Sequence, residues 1–312
     1  MHADRQPRGT AFALRDAFAW PTFSGLARTA EALGYRAVFL PEIAGRDAFA
    51  ALTGLAGETG ALLLGTGIVP MTSRVPRVTA MGAATVHERS GGRAILGLGT
   101  GPARPGALDA LEGQVTELRG WLRPEGGLSL PLSSPVPIWI AALGPRSVAL
   151  AGRIGDGVLL NWCTPERVSE ARDAVRAGAE AAGRDPDAIT IAAYVRGSLG
   201  ADPEAGLSAL RAAAGEYASY PAYARQFAAM GLADEAAAAG TALRAGAPQA
   251  VPEALVRAVC LLGDPADARS RLDEYREAGA DLPVVYPVAT RDDRAASVEA
   301  TLRAIAPSSS GT

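Results

Sequence analysis

The chain contains no lysine: all 30 of its basic residues are arginine. Imine chemistry of the aldolase or pyridoxal kind needs an amine side chain, so it is excluded, and the lysine-dependent phosphate loop falls with it. Histidine is nearly absent as well, with His2 near the start and His87 in a segment of helical pattern. No set of imidazoles exists to hold zinc, no metal site is expected, and a histidine-dependent hydrolytic triad lacks its base. Only Cys163 and Cys260 occur, far apart in sequence, which suits neither a disulfide scaffold nor a metal cluster. No run approaches the roughly 18 apolar residues of a membrane span, and MHADRQPRGT lacks the apolar stretch of a secretory signal. A cytoplasmic location without a membrane partner is therefore expected. A formal net charge of −3 with no basic cluster argues against a nucleic-acid partner. A chain this poor in nucleophiles and bases is expected to borrow its chemistry from a bound cofactor and to act on a small molecule.

What is present is an alternation of short apolar runs with longer helical patterns, the signature of parallel strands and crossover helices. Eight strands are predicted, over 11–14, 37–40, 62–69, 94–99, 137–141, 157–161, 189–195 and 283–288. Helical patterns separate them, over 22–33, 47–59, 75–90, 107–122, 146–154 and 165–182. Gly34, Gly60, Gly91, Gly155, Gly183 and Gly279 follow helices and read as left-handed caps. The interval from Arg196 to Leu282 carries alanine-rich helices (203–214, 222–230, 253–259) that read either as a lid over the strand ends or as outer packing. Asp264 caps a further helix that opens on Pro265. Residues 124–137, rich in Gly, Ser and Pro, read as a loop. Right-handed crossovers close eight such units into a (β/α)8 TIM barrel with inserted helices between strands seven and eight. With 48% apolar residues the whole chain, 1–312, is expected to form this single domain, residues 1–9 and 307–312 being tails. An open doubly wound sheet is the competing arrangement.

A barrel carries its site where the strands end. The segment ILGLGTG puts glycines at 97, 99 and 101 around Thr100, which either admits a flat ring against the backbone or tightens a barrel corner. The run LGTGIVPMTSR leaves strand three through Gly65, Gly67, Ile68, Val69 and Pro70, a bulge for a ligand or a plain kink. In AALGPRSVAL, Leu143 and Gly144 lead into a helix started by Pro145, so free N–H groups and the positive dipole end suit an anion, and Arg146 either adds charge or is simply solvated. Glu42 after strand two is the candidate for hydrogen bonding a ring or moving a proton, while Asp47 reads as a helix cap. Asn161, the sole asparagine, and Trp162 end strand six as candidate pocket walls. Asp156, between two glycines at the opposite end, reads as a structural turn. LGLGTG also resembles a methyltransferase turn, but Pro102 and Pro105 make a poor helix start.

Together, GYRAVFLPE, LGTGIVPMTSR, SGGRAILGLGTG and AALGPRSVALAGRIGDGVLLNW resemble the bacterial luciferase-like superfamily, in particular its coenzyme F420-dependent oxidoreductases. The resemblance implies a (β/α)8 barrel, usually a homodimer, binding a deazaflavin or FMN at the strand ends. It implies a non-proline cis peptide at Gly67–Ile68, with Val69 beside it, backing the ring. Gly99, Thr100 and Gly101 match a cofactor-facing loop, and Leu143, Gly144, Pro145 and Arg146 match the phosphate-binding segment. Many members carry an Asp-His pair after strand two where this chain has Glu42 and Ile43, so Glu42 either takes over proton transfer or no such donor exists. The implied activity is hydride transfer between coenzyme F420 and a small organic substrate. The alternatives are an FMN-dependent monooxygenase and a non-catalytic flavin-binding barrel.

Overall fold

In the structure, a computed structural model describing residues 8–15, 17–102, 104–125, 127–200 and 202–307, ten parallel strands form one sheet. They are β1 (Ala11–Ala13), β2 (Ala37–Leu40), β3 (Leu63–Thr66), β4 (Val69–Pro70), β5 (Ala94–Gly99), β6 (Ile138–Ala141), β7 (Gly157–Asn161), β8 (Thr190–Gly197), β9 (Cys260–Leu261) and β10 (Leu282–Pro287). β10 pairs with both β1 and β8, so the sheet closes on itself and the open-sheet alternative is excluded. Two strands lie outside the expected eight. β4 continues β3 beyond a break at Gly67–Ile68, and β9 adds a two-residue pairing to the end of β8. His2 and most of the expected tails lie outside the described residues; Gly9, assigned to a tail, donates its N–H to the Asp281 carbonyl at 3.3 Å.

The helices are α1 (Trp20–Ala32), α2 (Ala48–Ala56), α3 (Pro76–Arg89), α4 (Ala107–Trp121), α5 (Pro145–Ile154), α6 (Pro165–Ala181), α7 (Pro203–Ala218), α8 (Pro221–Ala229), α9 (Ala233–Arg244), α10 (Glu253–Val259), α11 (Pro265–Glu277) and α12 (Arg294–Ala304). Six of them, α3, α5, α6, α7, α8 and α11, open on proline, whose fixed φ suits the first turn and whose missing N–H has no partner to lose there. Asp47, Thr164, Asp202, Asp264 and Asp293 cap helices through side-chain oxygens. Among the expected glycine caps, Gly34, Gly91, Gly183 and Gly279 are left-handed. Gly60 and Gly155 are corrections. α2 already ends at Gly57, leaving the Gly60 N–H to the Glu31 carboxylate at 3.0 Å. Gly155 is extended at φ −92°, and a Cβ there would lie 2.8 Å from the Ala151 carbonyl oxygen. Close approach, not handedness, requires glycine at that position.

Two packing decisions place the site. Inside the barrel, alanines 11, 13, 37 and 192 leave room for Phe39, Trp139 and Tyr194, whose rings fill the lower barrel; Phe39 lies 5.7 Å from Trp139 and 6.0 Å from Tyr194, centroid to centroid. A barrel interior is filled by such layers of side chains, so open space remains only above them, at the strand ends. Outside it, α7–α10 pack around their own cluster of Trp162, Leu210, Phe227 and Leu255. At the opposite end Asp156 accepts from the Ile138 N–H at 2.8 Å and from Arg119 at 2.8 Å, a structural tie. No helix among the described residues is long and apolar enough to cross a membrane.

Candidate functional site

A cavity of about 760 Å³ opens at the C-terminal ends of the strands. Its floor is built from backbone. After Thr66 the chain turns through a cis Gly67–Ile68 peptide, held by Gly67 N–H to the Leu40 carbonyl (2.7 Å) and by Glu42 N–H to the Ile68 carbonyl (3.1 Å). The Thr66 hydroxyl bridges to β5, donating to the Gly97 carbonyl at 2.8 Å while accepting the Gly97 N–H at 2.9 Å. A Cβ on Gly97 would lie 1.9 Å from the Thr66 carbonyl oxygen, and one on Gly99 would lie 2.9 Å from Ile68 Cδ1. Glycine is therefore what lets β5 and the bulge meet, leaving Ile68, Gly99, Thr100 and Gly101 as a flat floor.

One wall is the entry to α5. Leu143 and Ser147 line the cavity, and the Ser147 hydroxyl donates to the Gly144 carbonyl at 2.8 Å while accepting the Leu143 N–H at 3.2 Å. Nothing stands within 4 Å of where a Gly144 Cβ would be. The positive end of the helix dipole thus sits beside open space.

A second wall is built from side chains. Tyr194, Tyr217, Tyr220, Tyr223 and Tyr286 line the cavity, five of the seven tyrosines in the chain, together with Arg196. Arg196 is 3% exposed. It donates to Asn161 Oδ1 and lies over the rings of Trp162 (4.2 Å), Tyr286 (4.8 Å) and Tyr217 (5.0 Å). Asn161 Nδ2 donates to the Tyr223 hydroxyl at 2.7 Å, which fixes the amide between an arginine and a phenol. Burial pushes the Tyr223 phenol up to about 12, against the pull of Arg196 and Asn161. It holds Tyr194 well above the ordinary phenol value. The Tyr194 hydroxyl has no hydrogen-bond partner among the described residues and lies where a Gly67 Cβ would be 2.1 Å away.

Of the residues expected at the site, Gly67, Ile68, Gly99, Thr100, Gly101, Leu143 and Asn161 line this one cavity. Gly144, Pro145 and Arg146 are exposed at the start of α5, just outside the lining. Val69 pairs with Leu98 and is buried in the outer core. Trp162 lies outside the cavity wall: it is fully buried, has φ 51°, and its carbonyl accepts from Gln226 Nε2 at 2.6 Å. Its ring supports Arg196 from behind. Glu42 also stands off the cavity, accepting from Arg74 Nε (2.9 Å) and Nη2 (2.6 Å), and this hydrogen bonding raises the Arg74 pKa. The tyrosines and Arg196 escaped the sequence reading. Tyr217, Tyr220 and Tyr223 recur every third residue across a helix break, and Arg196 continues a strand expected to end at Val195.

A family model described as luciferase-like monooxygenase matches residues 3–107 and 106–282. The chain belongs to the luciferase-like monooxygenase family. The cis Gly67–Ile68 peptide that the family resemblance implied is present. The 5,10-methylenetetrahydromethanopterin reductase of Methanolobus tindarius is 34% identical over 200 residues, 56% of this chain and 61% of that protein. The chain thus spans less than two-thirds of that relative's length. Two solved structures share the fold. The coenzyme F420-dependent tetrahydromethanopterin reductase of Methanopyrus kandleri superposes with a TM-score of 0.76 at 22% identity, covering 96% of this chain and 99% of that one. An F420-dependent secondary alcohol dehydrogenase in complex with an F420–acetone adduct gives 0.78 at 17% identity, covering 96% and 99%.

Proposed function

We propose that this family member is an oxidoreductase that moves a hydride between a deazaflavin of the coenzyme F420 type and a small organic substrate, both held in the one cavity. The observation that carries the reading is the floor: a glycine-relieved surface of Ile68 and the 99–101 loop, flat and apolar, beside the N-terminus of α5. Such a floor suits a planar ring, and the helix start suits its anionic tail. The names of the F420-dependent structural neighbours lend the reading support. A bound deazaflavin would supply the hydride chemistry; the chain supplies orientation and exclusion of water. Ile68, Gly99, Thr100 and Gly101 would seat the ring, with Val69 backing them from the outer core. Leu143, Gly144, Pro145 and Arg146 would face the phosphate, and Asn161 the substrate.

Glu42 is assigned to positioning. Its N–H holds the Ile68 carbonyl and its carboxylate is clamped by Arg74, so it fixes the bulge without reaching the reacting atoms. We read the protein as a homodimer through Val75, Val78 and Met81 on one side of α3, which are 63%, 46% and 53% exposed. Sedimentation as a single-chain species at micromolar concentration would refute that.

The test of the cofactor is equilibrium titration of the apo-protein with coenzyme F420 and with FMN. The expected result is binding of the deazaflavin at least about tenfold tighter than FMN, a difference of about 1.4 kcal/mol. Tighter binding of FMN would replace this reading with the monooxygenase that the family name covers. Binding of F420 without any substrate-dependent bleaching would leave a non-catalytic barrel.

A further inference from the structure

We propose that Arg196 is the anion anchor of the substrate pocket, and that the substrate is a flat organic acid whose carboxylate meets this guanidinium while its unsaturated skeleton lies among the tyrosines. The word substrate rests on the oxidoreductase reading above; the anion site itself does not.

A guanidinium carries five N–H donors and is costly to bury without an anion. Arg196 is 3% exposed, yet among the described residues its one hydrogen-bond acceptor is the Asn161 amide oxygen, besides the ring faces. No carboxylate among the described residues forms an ion pair with it. Among the described residues no aspartate or glutamate lines the cavity, while a second arginine, Arg225, stands at its rim. The charge is thus largely desolvated, borders the cavity and has no carboxylate in contact among the described residues. A bound carboxylate would complete it, and a fork held in place by Asn161 and Trp162 is oriented for that planar partner.

The position separates this site from the proposed cofactor floor. Around the closed ring β8 stands four strands from β3 by either route, so Arg196 faces the Gly67–Ile68 bulge across the cavity. Below that line Tyr194 reaches the bulge, and both Arg196 and Ile68 border the one cavity above it. The surfaces offered there are aromatic: Tyr217 stands edge-on to Tyr223 at 4.7 Å and to Tyr220 at 5.8 Å. Ring walls of this kind favour a planar, conjugated body over a branched saturated one.

The probe is trans-cinnamate, with uncharged cinnamamide as its isostere, titrated calorimetrically into the apo-protein. The wild type is expected to bind cinnamate at least about tenfold tighter than cinnamamide. Arg196→Gln should lose that preference, Arg196→Lys should keep part of it because the charge remains, and Arg196→Gln should bind coenzyme F420 within about threefold of wild type. Equal affinity of the wild type for acid and amide overturns the proposal without any variant, so it stays testable if Arg196→Gln fails to fold. Retained preference in a folded Arg196→Gln also overturns it. So does a loss of F420 binding with cinnamate preference intact, which would make Arg196 a cofactor residue. Failure of wild-type F420 binding alone would instead sink the oxidoreductase reading and leave the anion site standing.

Discussion

The Tyr194 hydroxyl is buried against Gly67 with no hydrogen-bond partner among the described residues. A buried hydroxyl left unpaired costs about 1–3 kcal/mol in desolvation. Removing it forfeits a few dispersion contacts of about 0.1–0.2 kcal/mol each. Tyr194→Phe is therefore expected to stabilise the apo-protein by about 0.5–2 kcal/mol, a rise of a few degrees in Tm for a chain of this length. A pH series sharpens the test. Burial holds the folded phenol well above its ordinary value, so between about pH 10 and that raised value the unfolded phenol ionises while the folded one does not. Wild-type stability is fully present below pH 10 and is lost as pH rises, and the advantage of the phenylalanine variant should widen there. Urea unfolding followed by far-ultraviolet circular dichroism at pH 7, 9 and 10.5 reads both effects. Destabilisation by more than about 1 kcal/mol at pH 7 would mean that the hydroxyl is satisfied, and the argument from its isolation would fail.

Three further perturbations probe the rest of the site. Gly99→Val places a methyl against Ile68 Cδ1, 2.9 Å from the new Cβ, and should weaken F420 binding by at least about tenfold while the fold survives; unchanged affinity would remove the floor from the cofactor site. Glu42→Gln and Arg74→Gln break a pair whose side chains are 14% and 19% exposed, and a double-mutant cycle should return about 1–2 kcal/mol of coupling in unfolding free energy. A coupling near zero would leave Glu42 available for another role. Burial pushes the Cys163 and Cys260 thiols from an ordinary value near 9 up to about 12, so neither should react with a disulfide reagent at pH 8 until the protein unfolds. Their contribution to stability is present below about pH 9 and lost towards pH 12, because the unfolded thiols ionise first. Rapid labelling of the native protein would contradict the burial.

The barrel was legible because its residues obey local rules. Short apolar runs in parallel strands are buried on both faces, so strands such as Ala37–Leu40, Ala94–Gly99 and Gly157–Asn161 stand out by composition alone. What local rules do not encode was lost. The break between β3 and β4 shows in the sequence only as Gly65 and Gly67 inside one expected strand, readable as a bulge or a kink, and only the family resemblance points to the cis bond. α9 was missed because a run of alanines has high helical propensity but little periodicity. The strand expected over 189–195, β8 in the structure, runs on through Arg196 to Gly197, a cation where the apolar pattern stops. It stays there because Arg196 turns its charge towards the cavity, between aromatic rings.

That difference runs through the site as well. The half made of backbone, Gly67–Ile68 and the 99–101 loop, needs glycine for steric reasons, and a steric requirement leaves a mark in sequence. The half made of side chains needs only that the inserted helices dock on β8 and β10. Tyr217, Tyr220 and Tyr223 at every third residue look like ordinary amphipathic packing until α7 and α8 are placed. The backbone half depends on the barrel itself, since moving β3 relative to β5 would destroy it. Within the side-chain half, Tyr217, Tyr220 and Tyr223 are free to change with the insert, while Tyr194, Arg196 and Tyr286 stay on β8 and β10. It follows that exchanging the α7–α8 tyrosines should alter which small molecules bind long before it alters the seat for a planar ring, while the Arg196 anchor on β8 stays with the barrel.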